Sequence, residues 1–161
     1  METERLILRR PVATDAEAPI WFGIEPTEPL AFADDHWERH GFGPWTAVLR
    51  ETGEPVAWID LHLAGAGIVG VEPDEIEVGW AVAVDARGRG LATEAAGAAI
   101  AYALDVLGVD EVVAYTSPGN AASMRVMEKL GMTVRGEGRS RDGKRAVILV
   151  ARRAQCRSAS C

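Results

Sequence analysis

The feature that most constrains this chain is a glycine-punctuated loop set between a strand and a long apolar helix. Asp85-Ala86-Arg87-Gly88-Arg89-Gly90-Leu91-Ala92 follows the alternating segment 75–84 and opens the run 90–107. Glycines at a helix start let successive backbone N–H groups approach an anion, and the helix dipole adds positive potential there. Arg87 and Arg89 add side-chain charge, so a pyrophosphate is the natural guest. A nucleotide-hydrolysing P-loop would need a Gly-Lys-Ser/Thr ending, which is missing. A dinucleotide fold wants a third small residue where Thr93 stands, and an acid at the end of the following strand. That strand, 111–116, ends in Tyr115-Thr116 instead. A plain glycine-rich turn remains the alternative for the loop taken alone.

The surrounding pattern supplies a frame. Residues 5–10 alternate and read as a strand closed by Pro11. Thr14 and Asp15 can cap a short helix toward Phe22, and Pro19, Pro26 and Pro29 keep the following region broken. Asp34 or Asp35 can open a second short helix ending near Gly41. Residues 45–50 and 56–63 form a hairpin around Glu51-Thr52-Gly53-Glu54, and the small, Gly-rich stretch 64–70 reads as a loop. Segment 75–84 is a strand with Glu77, Gly79 and Ala81 on one face and Val78, Trp80 and Val82 on the other. Helix 90–107, expected to be the longest, is followed by strand 111–116, helix 120–130 and a hairpin of 132–139 with 144–152 around Arg141-Asp142-Gly143. This order predicts one α/β domain with a mixed sheet.

A chain of 161 residues fits one domain, expected over 1–153, with 154–161 as a disordered tail. Both cysteines, Cys156 and Cys161, fall in that tail, too few for a disulfide framework or a zinc site, and no metal is expected. The charged start has no signal-peptide core, and Glu94 and Asp105 interrupt the apolar run. The expectation is a cytoplasmic protein without membrane contact. Residues 1–86 hold 17 acids and 5 bases (−12), and residues 87–161 hold 7 acids and 12 bases (+5). An acidic half suits a cationic acceptor and a basic half a phosphate-bearing cofactor; two ordinary solvated surfaces are the alternative. The net charge of −7 argues against a nucleic-acid partner.

Four stretches carry a family resemblance: Glu4-Arg5-Leu6-Ile7-Leu8-Arg9, Glu77-Val78-Gly79-Trp80, Gly88-Arg89-Gly90-Leu91-Ala92-Thr93-Glu94-Ala95, and the segment from Asn120 through Ser123, Glu128 and Gly131 to Met132. In this order the chain resembles the GNAT N-acetyltransferase superfamily, within it the ribosomal-protein alanine N-acetyltransferases (RimJ/RimL type). The resemblance implies a single domain whose mixed central sheet splays between two parallel strands, with helices on both faces. It implies acetyl-CoA wedged into the opening. Backbone groups of Trp80, Ala81 and Val82 would pair with the pantetheine arm. The loop from Arg87 and Gly88 through Arg89, Gly90, Leu91 and Ala92 to Thr93 would take the pyrophosphate. Asn120 would bond the lower arm.

Acetyl transfer to a primary amine needs a neutral amine, a polarised carbonyl and a proton for the leaving thiolate. A strand amide near Val82 is the candidate donor for the carbonyl oxygen. Glu77 is the candidate base, its alternative being a solvated or salt-bridged strand carboxylate; Asp60 and His62 are lesser candidates. Many superfamily members carry a tyrosine on the last helix as the thiolate's acid, but this chain has Met127 there. The branch resemblance puts Ser123 in that role, the alternative being a serine bonded to its own helix. The acceptor is expected to be a protein N-terminal α-amine or a small amine such as an aminoglycoside antibiotic; a non-catalytic acyl-CoA-binding module is the rival. Phe22, Phe32, Phe42, Trp21, Trp37 and Trp45 crowd residues 21–45, either as a core patch closing the sheet or as a pocket lining or homodimer contact.

Overall fold

The computed structural model describes residues 1–21, 25–140 and 143–153. Among the described residues, eight strands form one sheet in the order β1-β2-β3-β5-β6-β8-β7-β4. They are β1 Leu6–Arg9, β2 Trp45–Leu49, β3 Pro55–Leu63, β4 Ile68–Val69, β5 Ile76–Val82, β6 Glu111–Thr116, β7 Thr133–Ser140 and β8 Arg145–Arg152. All neighbours are antiparallel except β5 and β6, which run parallel and meet at a single register pair, Glu77↔Val113. Beyond Glu77 the two strands part. The mixed, splayed sheet is as expected.

Register decides which residues share a face. Leu61↔Val78, Ile59↔Trp80 and Ala57↔Val82 lie on one face. Helix α2 (Leu91–Tyr102) buries Leu91, Ala95, Ala96, Ala99 and Ile100 in the same apolar core, joined by Met127 of α3 (Ala121–Lys129). His62↔Glu77, Asp60↔Gly79 and Trp58↔Ala81 lie on the opposite face. There α1 (Thr27–His40) sets Phe32 5.3 Å from His62, and Trp21 packs 5.0 Å from Trp58. The 3-10 turn Ala13–Glu17 presents Asp15, which is buried yet satisfied: Arg9 Nη2, Thr46 Oγ1 and the Val12 amide all donate to its carboxylate.

Five local expectations change. The short helix expected to be capped by Thr14 and Asp15 is the 3-10 turn Ala13–Glu17, capped at Val12 with both residues inside it. The front helix begins at Thr27 rather than Asp34 or Asp35 and is the longest α-helix, at 14 residues. Pro29 sits in its first turn, where the missing N–H has no intrahelical partner to lose. Helix 90–107 is an α-helix only to Tyr102, then a π-helical turn Ala103–Leu107 closed by Gly108. Strand 75–84 ends at Val82, because Val84–Ala86 turns as a 3-10 helix into the glycine loop. The supposed loop 64–70 contains β4, which lies on β7 because Gly138 has no Cβ to meet the Val69 carbonyl. Phe22, the Arg141-Asp142 part of the last turn and the tail 154–161 lie outside the described residues.

Candidate active site

The parting of β5 from β6 opens a cleft of about 580 Å³. One wall is Trp80, Ala81 and Val82 of β5. The Ala83 amide donates to the Val56 carbonyl and the Ala64 amide to the Glu75 carbonyl, so odd-numbered β5 residues bond toward β3. By alternation, the backbone groups of Trp80 and Val82 turn toward the β6 side. Arg87 Nε donates to the Val82 carbonyl (3.1 Å), which ties the loop to the strand end.

The end wall is the glycine loop and the start of α2. Gly88 and Gly90 have φ of 75° and 80°, the left-handed region in which a Cβ is strained. Gly90 is the N-cap of α2 and offers no side chain to the helix, whose first backbone bond runs from Glu94 N to Gly90 O. The amides of Leu91, Ala92 and Thr93 therefore head a helix whose first turn lacks internal acceptors. Glu94 also receives the Thr3 hydroxyl (2.5 Å) and Arg5 Nε (2.7 Å), while Arg5 Nη1 donates to the Arg89 carbonyl. The first strand's end thus holds the loop from behind.

The opposite wall is α3. Asn120 is its N-cap and accepts the Ser123 amide at 3.1 Å, leaving its own amide N–H groups as donors. Ser123 lines the cleft one turn on. Among the described residues its hydroxyl makes no hydrogen bond, so the bonded-serine alternative is not realised. Of the expected cofactor residues, Trp80, Ala81, Val82, Arg87, Gly88, Gly90, Leu91, Ala92, Thr93, Asn120 and Ser123 line this one cleft. Arg89 does not; its side chain is exposed beside it. Sequence reasoning missed Ala86 at the loop and, on α3, Ala122, Arg125, Val126 and Lys129, which also line it. Val126 lies one turn on from Ser123, and Ala122, Arg125 and Lys129 share its face of the helix at spacings of three and four, a pattern that could have found them.

Glu77 is not in the cleft lining. It stands on the opposite face of β5, at the register pair beyond which the two strands part. Burial raises its carboxyl to about 6, against the pull of His62 and the Tyr115 hydroxyl toward the charged form. Burial likewise raises Asp60, one of whose oxygens accepts Trp58 Nε1 at 2.8 Å. Tyr115 is pushed up to about 12 by burial and by Glu77, so its phenol keeps its proton. Tyr115, like His36, is a front-side residue that sequence reasoning missed; it lies two along β6 from Val113, the partner of Glu77. His36 completes the front: its Nδ1 faces the Phe42 carbonyl at 2.7 Å and its Nε2 accepts the Leu63 amide at 3.2 Å. That pair of contacts selects the neutral Nδ1–H tautomer, and burial lowers its pKa in agreement. Of the aromatic patch, Trp21, Phe42 and Trp45 are core, whereas Phe32 remains 43% exposed beside His62.

Residues 5–133 match the family described as Acetyltransferase (GNAT) domain. The chain belongs to the GNAT acetyltransferase family. GNAT enzymes move acetyl groups to amines. The chain is 26% identical over 154 residues to the uncharacterized N-acetyltransferase YoaA of Bacillus subtilis (strain 168), covering 84% of each. It is similar to the solved acetyltransferase from Agrobacterium tumefaciens str. C58 (28% identity, TM-score 0.76, 95% of this chain and 94% of that one). It shares its fold with the ribosomal-protein-S5-alanine acetyltransferase of Vibrio fischeri (14%, TM-score 0.74, 96% and 97%). The same holds for AAC(6')-Ib in complex with ribostamycin and coenzyme A (23%, TM-score 0.71, 98% and 100%). Among the described residues, no helix is long and apolar enough to cross a membrane.

Proposed function

We propose that this GNAT protein is an acetyl-CoA-dependent N-acetyltransferase whose acceptor is a protein N-terminal α-amine. The observation that carries the first part is the cleft itself. Strand-edge groups of β5 beyond its one register pair with β6, helix-start amides of α2 and the donor of Asn120 line one opening. That donor set fits an extended amide-bearing arm ending in a pyrophosphate. When bound, acetyl-CoA supplies an acetyl group activated as a thioester.

The chain's own residues would do the rest. Glu77 takes the proton from the acceptor ammonium across the gap. The Val82 amide donates to the acetyl carbonyl oxygen as charge develops on it. The Ser123 hydroxyl would pass its proton to the departing sulfur, and the second proton lost by the acceptor nitrogen as it becomes an amide would restore the hydroxyl. A C–N bond forms and the C–S bond breaks.

The choice of acceptor rests on proton affinity. A carboxylate titrating at about 6 lies about 2 units below an α-amine but about 4 units below a lysine-type amine. Deprotonation by Glu77 is then uphill by about 3 kcal/mol for the first and about 6 kcal/mol for the second. The branch resemblance of the Asn120–Met132 stretch points the same way. Fold likeness extends equally to a ribosomal-protein acetyltransferase and to an aminoglycoside complex, so it does not choose between them. Thiol release from acetyl-CoA, measured with free-N-terminus peptides, their N-blocked but lysine-bearing counterparts, and ribostamycin, tests the proposal. Free-N-terminus peptides should be preferred. A preference for ribostamycin would replace the acceptor assignment, and thiol release with none of them would leave a binding module.

A further inference from the structure

Arg125 and Lys129 both face the cleft from α3 and both are exposed. Several arginines elsewhere close on carboxylates: Arg5 on Glu94, Arg9 on Asp15, Arg135 on Glu75 and Glu111, Arg152 on Glu111. Among the described residues, Arg125 and Lys129 make no hydrogen bond or ion pair, although Glu128 is a helix neighbour of both. They stand four residues apart, a spacing at which like charges repel on a helix surface. The sequence therefore keeps two unneutralised cations side by side, against local helix stability, at the wall of this cleft.

A pyrophosphate does not call for them. Its charge of about two is met across the cleft by the start of α2 and by Arg87 of the loop. Two further cations on the opposite wall fit a second, separate phosphate. A phosphate monoester carries a charge of about −1.5 to −2 at neutral pH and three acceptor oxygens. Coenzyme A has such a group on its ribose 3′ carbon; its dephospho form is the same molecule without it. We infer that Arg125 and Lys129 hold the 3′-phosphate of the coenzyme and select the phosphorylated carrier. The inference rests on the coenzyme reading of the cleft and adds a specificity pair to it.

Calorimetric titration of coenzyme A and 3′-dephospho-coenzyme A into the whole chain tests it. The parent should bind coenzyme A tighter by on the order of tenfold, from two charge-assisted contacts at an exposed site. In the Arg125→Gln/Lys129→Gln variant, coenzyme A should weaken to the level of the dephospho form, whose own affinity should not move. The conservative pair Arg125→Lys/Lys129→Arg should keep most of the discrimination. Arg39→Gln, the same charge loss on α1, should leave it intact; Arg39 pairs with Asp35 away from the cleft. Equal binding of both ligands by the parent would overturn the inference. So would a double variant that weakens both ligands by one factor, which would put the two cations on the pyrophosphate. A folded parent that binds neither ligand would remove the coenzyme reading itself.

Discussion

The two sides of the β5–β6 gap are built on different principles. The cleft side is made of main chain and compact segments: Trp80 to Val82, the glycine loop running into α2, and the first turns of α3. The front side is made of side chains from four elements: His36 of α1, Asp60 and His62 of β3, Glu77 of β5 and Tyr115 of β6. A main-chain site tolerates changes of side chain but not of backbone geometry. A side-chain site tolerates neither loss of a carboxylate nor a slip in register, because one residue of slip would turn Glu77 to the other face. The two sides should therefore fail in different ways when altered.

The sharpest break is expected on the front. Glu77→Gln should lower kcat/KM for the acceptor by about 100-fold near pH 7, the usual worth of a general base. The parent's rate should rise with pH through about 6, where Glu77 ionises. The defect should shrink as pH approaches the acceptor's own pKa, since a neutral amine no longer needs the base. A pH-independent defect would leave Glu77 a structural carboxylate.

The same substitution separates function from stability. The folded pKa of Glu77 is raised above its ordinary 4.5 to about 6. Between those values the folded state holds more protons than the unfolded chain, so stability falls as pH rises through that window. Above it the ionised carboxylate costs up to about 2 kcal/mol. Glu77→Gln should thus unfold at higher urea than the parent at pH 7 and at nearly the same urea at pH 4. A variant less stable at both pH values would show that the carboxylate is held by partners rather than exposed to the acceptor.

On the cleft side, Gly90→Val should weaken coenzyme A binding by about tenfold or more, through the backbone. A left-handed residue with a branched side chain costs roughly 1–2 kcal/mol, and relief of that strain would swing the loop amides away. The added Cβ would lie 3.5 Å from Arg5 Nη2, an ordinary contact, so the fold should survive. Calorimetry on the folded variant with unchanged affinity would take the loop out of the site. Ser123→Ala should act more mildly, lowering kcat by roughly three- to tenfold with little change in coenzyme affinity, as expected for one hydrogen bond. Unchanged turnover would return Ser123 to a lining role.

Legibility in the sequence follows the same division. The cleft could be read because its parts are contiguous: a strand, two glycines with charged neighbours, and a helix start lie within residues 80–93. Arg89 is the one expected cofactor residue outside the cleft lining; its carbonyl accepts Arg5 Nη1, a contact that no local pattern encodes. The front could not be read to the same depth. Glu77, Asp60 and His62 were visible as polar residues in strands, but Tyr115 joins them only through the parallel pair Glu77↔Val113, which no local pattern encodes. The front helix was misjudged for the opposite reason. Pro26 and Pro29 read as breakers, whereas at a helix start they are compatible with the first turn.

The smallest expected effect tests whether the acidic half of the chain steers the acceptor. Residues 1–86 carry −12, and the front residues Asp60 and Glu77 belong to that half. Many of its charges are exposed: Asp34, Asp35 and Glu38 on α1 reach solvent even where Arg10 and Arg39 approach them. Exposed charges act over about 10 Å at 0.1 M salt and about 3 Å at 1 M. An ammonium approaching the front should therefore be drawn in at low salt and lose that help at high salt. With acetyl-CoA saturating, which removes most of the salt effect on phosphate contacts, kcat/KM for a cationic peptide should fall by roughly threefold over that range. A neutral-flanked peptide of the same N-terminal residue should change less, because only its single ammonium feels the field. Asp34→Asn/Glu38→Gln should flatten the salt response of the cationic peptide without altering kcat, since neither residue reaches the gap. A rate that ignores salt for both peptides would confine the electrostatics of acceptor recognition to Asp60 and Glu77, and the difference between the two sides would then lie wholly within the gap.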